Sequence, residues 1–281
     1  MGELGFYAGK VIDINTPVVS LEDRGHQFGD GVYEVVVTYR GKYFALAEHL
    51  ERMEKSCREL QLAPVYSRLE LVNICELLLN ESQLEEAMLY MQWTRGATAR
   101  THAFPSGAKA LFSATIRKKK ILSAEYLDKG VSVISVPDER WLRCDIKSLN
   151  LLGSVLAKQK AVEAGCFEAL LIRDNKFITE GSSSNSFAVK AGIIYTAPCS
   201  NYILAGVTRV FVIDLAKKLG FEVREEFVSP EFYALADEIF LTGTTTEVMP
   251  VIRLDKKAVG NGMVGPVTRK LQKAFLELIN G

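Results

Sequence analysis

The sequence predicts an α+β protein of two domains, and three features of the chain point there. Strand-like and helix-like runs come in mixed order, without the repeated strand-helix-strand rhythm of a parallel sheet. A polar, basic stretch, KKKILSAEYLDKG from Lys118, separates two strand-like runs and has the character of a domain connection. Gly29 and Gly31 form no G-x-G-x-x-G and lead into a strand rather than a helix, which removes a dinucleotide-binding fold. We therefore expect an N-terminal α+β domain over residues 1–120 and a C-terminal α+β domain over residues 121–281.

Local pattern gives the elements in order. Residues 32–46, VYEVVVTYRGKYFAL, are β-branched and aromatic on both sides of Arg40-Gly41, the pattern of a hairpin. Leu46, Leu50, Met53, Cys57 and Leu60 recur at spacings of four, three, four and three, one apolar helical stripe that ends before Pro64. Arg52 stands one position off that stripe. Ser67-x-x-Glu70 is a capping box for a second helix running to about Asn80, and strands follow at 88–94 and 110–117. Beyond the connection, GVSVISV from Gly130 reads as a buried strand and SLNLLGSVLAKQKAVEAG from Ser148 as a helix capped by Gly165. Further strand-like pieces turn at Asp174-Asn175 and Ala191-Gly192. Gly206 opens a helix that stops near Gly220, and a last helix follows Pro266.

Composition excludes several classes of function. In 281 residues, 34 basic side chains balance 34 acidic ones, so no net field draws the chain to nucleic acid or an anionic membrane. The run 117–120, RKKK, is then a solvated connector. The five cysteines, Cys57, Cys75, Cys144, Cys166 and Cys199, are odd in number and contain no C-x-x-C, so neither a disulfide framework nor a metal site is expected. No apolar run approaches the roughly 18 residues that span a bilayer. The first residues lack the basic-then-apolar order of a signal peptide, and Phe6 stands where myristoylation needs Ser or Thr. The sequence predicts a cytoplasmic protein. Ser106 and Lys109 match S-x-x-K, but the S-D-N and K-T-G that accompany it in serine acyl enzymes are absent. Phosphate-loop, G-x-S-x-G and H-E-x-x-H patterns are absent too.

Three stretches carry a stronger signal: EDRGHQFGDGVYEVV from Glu22, WLRCDIKSLNLLG from Trp141 and TEGSSSNSF from Thr179. With EHLER from Glu48, GVTR from Gly206 and TGTTTE from Thr242, the chain resembles the fold-type IV pyridoxal-phosphate enzymes over almost its whole length. Within them Arg100-Thr101-His102 looks most like the R-x-H of the bacterial D-amino acid aminotransferases, which grips the substrate carboxylate.

The resemblance implies pyridoxal 5'-phosphate as cofactor, in the cleft between the two domains, with Lys147 forming its Schiff base. A lone lysine is most often a solvated charge; one that attacks a carbonyl must shed its proton, which a setting beside the apolar LNLL run favours. Glu180 is implied to pair with the pyridine nitrogen and keep it protonated, where a neutral Gln would weaken the electron sink. Phosphate needs donors and positive charge, and a helix N-terminus supplies both. Val207 and Thr208 at such a start, with Arg52 and Thr244, are implied to hold it. Gly243 departs from the serine frequent in the family and removes one hydroxyl from that side. Tyr33, Arg100 and His102 are implied to bind the carboxylate, the last two reaching across a homodimer interface.

By resemblance the reaction moves the amino group of a D-amino acid, D-alanine, to a 2-oxo acid, 2-oxoglutarate. Two rivals share the fold. An L-branched-chain aminotransferase has no use for the Arg100-His102 pair as a carboxylate trap, and an aminodeoxychorismate lyase eliminates pyruvate instead of exchanging amino groups.

Overall fold

A computed structural model describes residues 2–120 and 122–280. The chain divides into two units, Met1–Lys120 with Ile146–Asn150, and Ile121–Asp145 with Leu151–Gly281. Both mix helices with strands, as an α+β fold requires.

In the first unit the elements run β1 (Leu4–Tyr7), β2 (Lys10–Asp13), α1 (Arg24–Phe28), β3 (Gly31–Tyr39), β4 (Lys42–Tyr43), α2 (Leu46–Glu59), α3 (Arg68–Ser82), β5 (Ala87–Thr94) and β6 (Leu111–Lys118). The strands form one antiparallel sheet in the order β2-β1-β6-β5-β3-β4. Arg40 and Gly41 take positive φ, the backbone that a tight hairpin needs. The capping box of α3 forms: Ser67 Oγ accepts from Glu70 N, and the Glu70 carboxylate accepts from Ser67 N at 2.7 Å. Leu50, Met53 and Cys57 of α2 and Leu71, Cys75 and Leu78 of α3 pack with Val32, Val36, Leu89, Met91 and Trp93 in one core. Each large apolar side chain withdrawn from water there contributes about 1.5–3 kcal/mol.

Three features of this unit depart from the sequence reading. The β1–β2 hairpin and the five-residue α1 are too short to show a period; α1 is set by Asp23, whose Oδ1 accepts from Gly25 N and His26 N, and stopped by Gly29 at φ 67°. The third concerns Ile146–Asn150, where the sequence places a helix from Ser148 onward. It forms neither helix nor strand and belongs to the first unit, and the helix begins only at Leu152. Tyr33 N donates to Lys147 O and Leu149 N to Gly31 O, both at 3.0 Å, with a bridge between Val32 and Ser148. The edge of β3 thus supplies the partners that a first helical turn would otherwise have to find.

The second unit begins with α4 (Ala124–Lys129), a short helix capped by Ser123 inside the expected connector. There follow β7 (Val131–Pro137), α5 (Leu152–Glu163), β8 (Glu168–Arg173), β9 (Phe177–Gly181), β10 (Asn185–Lys190), β11 (Ile193–Thr196), α6 (Val207–Lys218), β12 (Val223–Glu225), α7 (Pro230–Ala234), β13 (Glu238–Gly243), β14 (Glu247–Leu254), β15 (Lys257–Ala258) and α8 (Pro266–Asn280). The sheet order is β12-β11-β10-β13-β14-β7-β8-β9, with β15 beside β14. β7 runs parallel to β14 and β8, a mixed arrangement. Its core gathers Val133, Leu170, Ile239, Leu241 and Met249, while Phe187 stacks on Phe240 at 4.7 Å.

Candidate active site

Period-two alternation along β3 puts Val32, Glu34 and Val36 on the buried face and Tyr33 and Val35 on the other. A carboxylate between two fully buried valines must find partners or lose its charge. Glu34 finds them on α2, where Arg52 donates Nε to Oε1 at 2.7 Å and Nη2 to Oε2 at 2.9 Å, and His49 Nδ1 lies 2.8 Å from Oε2. Burial works against the ionised form, but Arg52, His49 and Lys147 outweigh it and hold the carboxyl at about 2. Burial also pulls His49 below its usual value, against the opposing pull of Glu34. A neutral ring facing an ionised carboxylate must carry its proton on Nδ1.

Lys147 stands on the irregular segment beside β3. Its backbone is held at both ends, N donating to Ser56 Oγ at 3.2 Å and O accepting from Tyr33 N. Its half-buried side chain brings Nζ to 4.2 Å from the centre of the Tyr33 ring. Tyr33 in turn stacks on Tyr90, centroids 5.6 Å apart, and the Tyr90 hydroxyl donates to Gln92 Oε1 at 2.7 Å. Lys147, Tyr33, Arg52, Glu34 and His49 therefore make one cluster of the first unit. Arg100 and His102 belong to the same unit, on an exposed loop after β5, where both pack against the Phe28 ring at 4.8 and 5.6 Å.

In the second unit Glu180, near the end of β9, is 4% exposed and surrounded by donors. Arg140 Nη1 reaches Oε1 at 2.5 Å, Asn185 Nδ2 reaches Oε2 at 2.9 Å, and Leu204 N lies 3.2 Å from both oxygens. Burial pushes this carboxyl up to about 7, even against Arg140 and the Leu204 N–H, whereas the same burial loses to the partners of Glu34. The difference is that Arg140 is shared: Asp138 takes its Nε and Nη2, both at 2.9 Å. Glu180 is therefore a carboxylate poised to take one more positive charge.

Val207 and Thr208 are buried in the first turn of α6, which contains no acidic residue and whose cap, Gly206, provides no side-chain acceptor. Glycine is required there because a Cβ would meet Asn185 Oδ1 at 2.0 Å. Thr244 lies in the turn from β13 to β14, and two residues before it Thr242 Oγ1 is buried without a hydrogen-bond partner. A Cβ at Gly243 would come no nearer than 3.4 Å to Thr246, so the space admits a side chain that this sequence omits.

Glu34, His49, Arg140 and Asn185 were not singled out from sequence. Glu34 had a legible signal, a lone charge on the apolar face of a strand; the others did not, since their roles depend on partners distant along the chain. Among the described residues no group of three His, Cys, Asp or Glu is placed to hold a metal.

The family model of amino-transferase class IV matches residues 31–254. The chain is 42% identical over 274 residues to a D-alanine aminotransferase of Staphylococcus aureus (strain MSSA476), covering 98% of this chain and 97% of that protein. Among solved structures, the branched-chain amino acid aminotransferase of Escherichia coli superposes with a TM-score of 0.94 at 29% identity, covering 99% of this chain and 95% of that one. A second branched-chain amino acid aminotransferase, that of T.th., solved with pyridoxamine 5'-phosphate, gives 0.93 at 29% identity, covering 99% and 94%.

Proposed function

This chain belongs to the class IV aminotransferases, and from that premise we propose that it moves the amino group of a D-amino acid, D-alanine, to 2-oxoglutarate with pyridoxal 5'-phosphate as cofactor. The observation that carries the D-amino acid reading is the near full-length likeness to D-alanine aminotransferases together with Arg100-Thr101-His102.

The residues fit the cofactor. Glu180 is a buried carboxylate whose raised value leaves it short of positive charge, and a protonated pyridine nitrogen is such a charge. The α6 first turn and the orphaned Thr242 hydroxyl offer donors to a phosphate. When bound, the cofactor supplies an electron sink for the pair left behind as Cα loses its proton.

Lys147 would hold the cofactor through Nζ, and the same amine would take the proton from the substrate Cα. Tyr33 orients it, its ring limiting where Nζ can point. The backbone N–H groups of Val207 and Thr208, the Thr244 hydroxyl and the Arg52 guanidinium hold the phosphate, and Glu34 keeps Arg52 in place. Glu180 holds the proton on the ring nitrogen, which Arg140 and Asn185 keep it oriented to do. Tyr33, Arg100 and His102 grip the carboxylate, a guanidinium and two hydrogen-bonding rings making a strong charge-assisted contact. The reading makes the protein a cytoplasmic homodimer in which Arg100 and His102 serve the neighbouring copy's lysine. Among the described residues, no helix is long and apolar enough to cross a membrane.

A panel of D- and L-amino acids with 2-oxoglutarate as acceptor tests the assignment. D-Alanine should be turned over far faster than L-alanine or L-leucine. Preference for L-leucine would move the chain to the branched-chain group.

A further inference from the structure

We propose that Arg24 is a positioning residue for carboxylate recognition, holding the Thr101 carbonyl so that the flanking Arg100 and His102 are presented in one fixed arrangement. The inference rests on the reading of those two residues as the carboxylate grip. They sit on a stretch, residues 98–104, that forms no helix or strand, and their side chains are exposed. An exposed arginine on such a stretch loses rotamer and backbone freedom each time it closes on a carboxylate, and fixing its backbone in advance lowers that cost.

The structure contains the device that fixes it. Arg24 is only 3% exposed, and it donates Nη1 to Thr101 O at 2.5 Å and Nε to Asp30 Oδ2 at 2.7 Å. Asp30 is itself held by Arg95, Nε to Oδ2 at 2.8 Å and Nη2 to Oδ1 at 3.0 Å. Arg95 also covers the Phe104 ring at 3.7 Å, at the far end of the same stretch. The near end is tied by backbone bonds, Arg24 N to Gly96 O at 3.0 Å and Thr98 N to Glu22 O at 3.1 Å. Phe28 completes the arrangement: the Arg24 and Arg100 guanidinium carbons each lie 4.8 Å from its ring centre, and the His102 ring meets it edge-on at 5.6 Å. A buried arginine facing inward thus grips the peptide unit between two side chains that face outward. Lysine cannot replace it, because one ammonium on a flexible stem lacks the fork that spans Asp30 and Thr101 O.

The test measures kcat and KM for D-alanine and for 2-oxoglutarate on the holoenzyme, in Arg24→Lys, Arg100→Ala, their double variant and Phe28→Leu. Arg24→Lys should raise both KM values about tenfold, the size of one charged hydrogen bond, with kcat little changed. In the double variant it should add almost nothing to the effect of Arg100→Ala, because a residue that acts through another has no further effect once that other is gone. Phe28→Leu keeps the Arg24–Asp30–Arg95 ion pairs but removes the ring on which Arg24, Arg100 and His102 pack, and should raise KM in the same way, which covers an Arg24→Lys chain that fails to fold. Fully multiplicative effects in the double variant, or unchanged KM in Arg24→Lys and Phe28→Leu while Arg100→Ala raises it, would overturn the positioning role alone. Unchanged KM in Arg100→Ala would remove the carboxylate grip and this inference with it.

Discussion

Lys147 Nζ lies 4.2 Å from the centre of the Tyr33 ring, and the Lys147 carbonyl accepts from the Tyr33 N–H at 3.0 Å. Backbone and side chain of the same two residues are therefore coupled, so the amine has a defined position although its segment belongs to no helix or strand.

Replacing Lys147 by Ala should leave a folded protein that retains cofactor through phosphate contacts but lacks the covalent bond. Borohydride treatment followed by mass analysis checks this: the unaltered enzyme gains a stable adduct on the peptide containing Lys147 and the variant gains none. An adduct on another lysine of the variant would move the role there.

Glu180→Gln should slow removal of the Cα proton in single-turnover mixing with D-alanine by about 10- to 100-fold, on the scale of one charged hydrogen bond. Cofactor content, read from absorbance, should change little. An unchanged single-turnover rate would show that the ring nitrogen is held by another group.

Glu34 links the site to stability. Its folded value, about 2, lies below the ordinary 4.5, so the unfolded chain binds the proton more tightly. The stabilisation is then fully present above pH 4.5 and is lost as pH falls through about 2. Glu34→Gln also leaves Arg52 facing an uncharged partner in a nearly dry site, and breaking a buried pair costs roughly 3–5 kcal/mol. Thermal melting of the cofactor-free proteins should show a large gap at pH 7 that narrows steadily below pH 4.5; a gap independent of pH would mean that charge at Glu34 contributes nothing.

The homodimer reading predicts complementation. In a heterodimer of an Arg100→Ala chain and a Lys147→Ala chain, one site lacks both groups and the other is intact. Activity should return when the two nearly inactive proteins are unfolded together and refolded. Heterodimers verified by mass that remain as inactive as their parents would place Arg100 in the same copy's site.

Much of the fold was legible because it is decided locally. The α3 capping box joins residues three apart, the α2 stripe repeats every helical turn, and the alternation along β3 assigns Glu34 to the face it occupies. Short elements were not legible: four residues in β1 or five in α1 hold too little of any pattern to be told from a loop. The motif residues Lys147, Glu180, Arg100 and His102 could be picked out in the chain, but not their neighbours.

What the amino-acid order determined by itself was the α+β class, the helix stripes and caps, and the motifs that mark a class IV aminotransferase. What only the tertiary structure decided was which charges meet: Glu34 with Arg52 and His49, Glu180 with Arg140 and Asn185, Arg24 with Thr101 O, and Lys147 with the ring of Tyr33. The reason is range. Hydrogen-bonded turns and apolar periodicity act over a few residues, whereas a buried charge takes whatever partner the packed sheet and helices bring beside it, 40 positions away where Arg140 meets Glu180 and 77 where Arg24 holds Thr101.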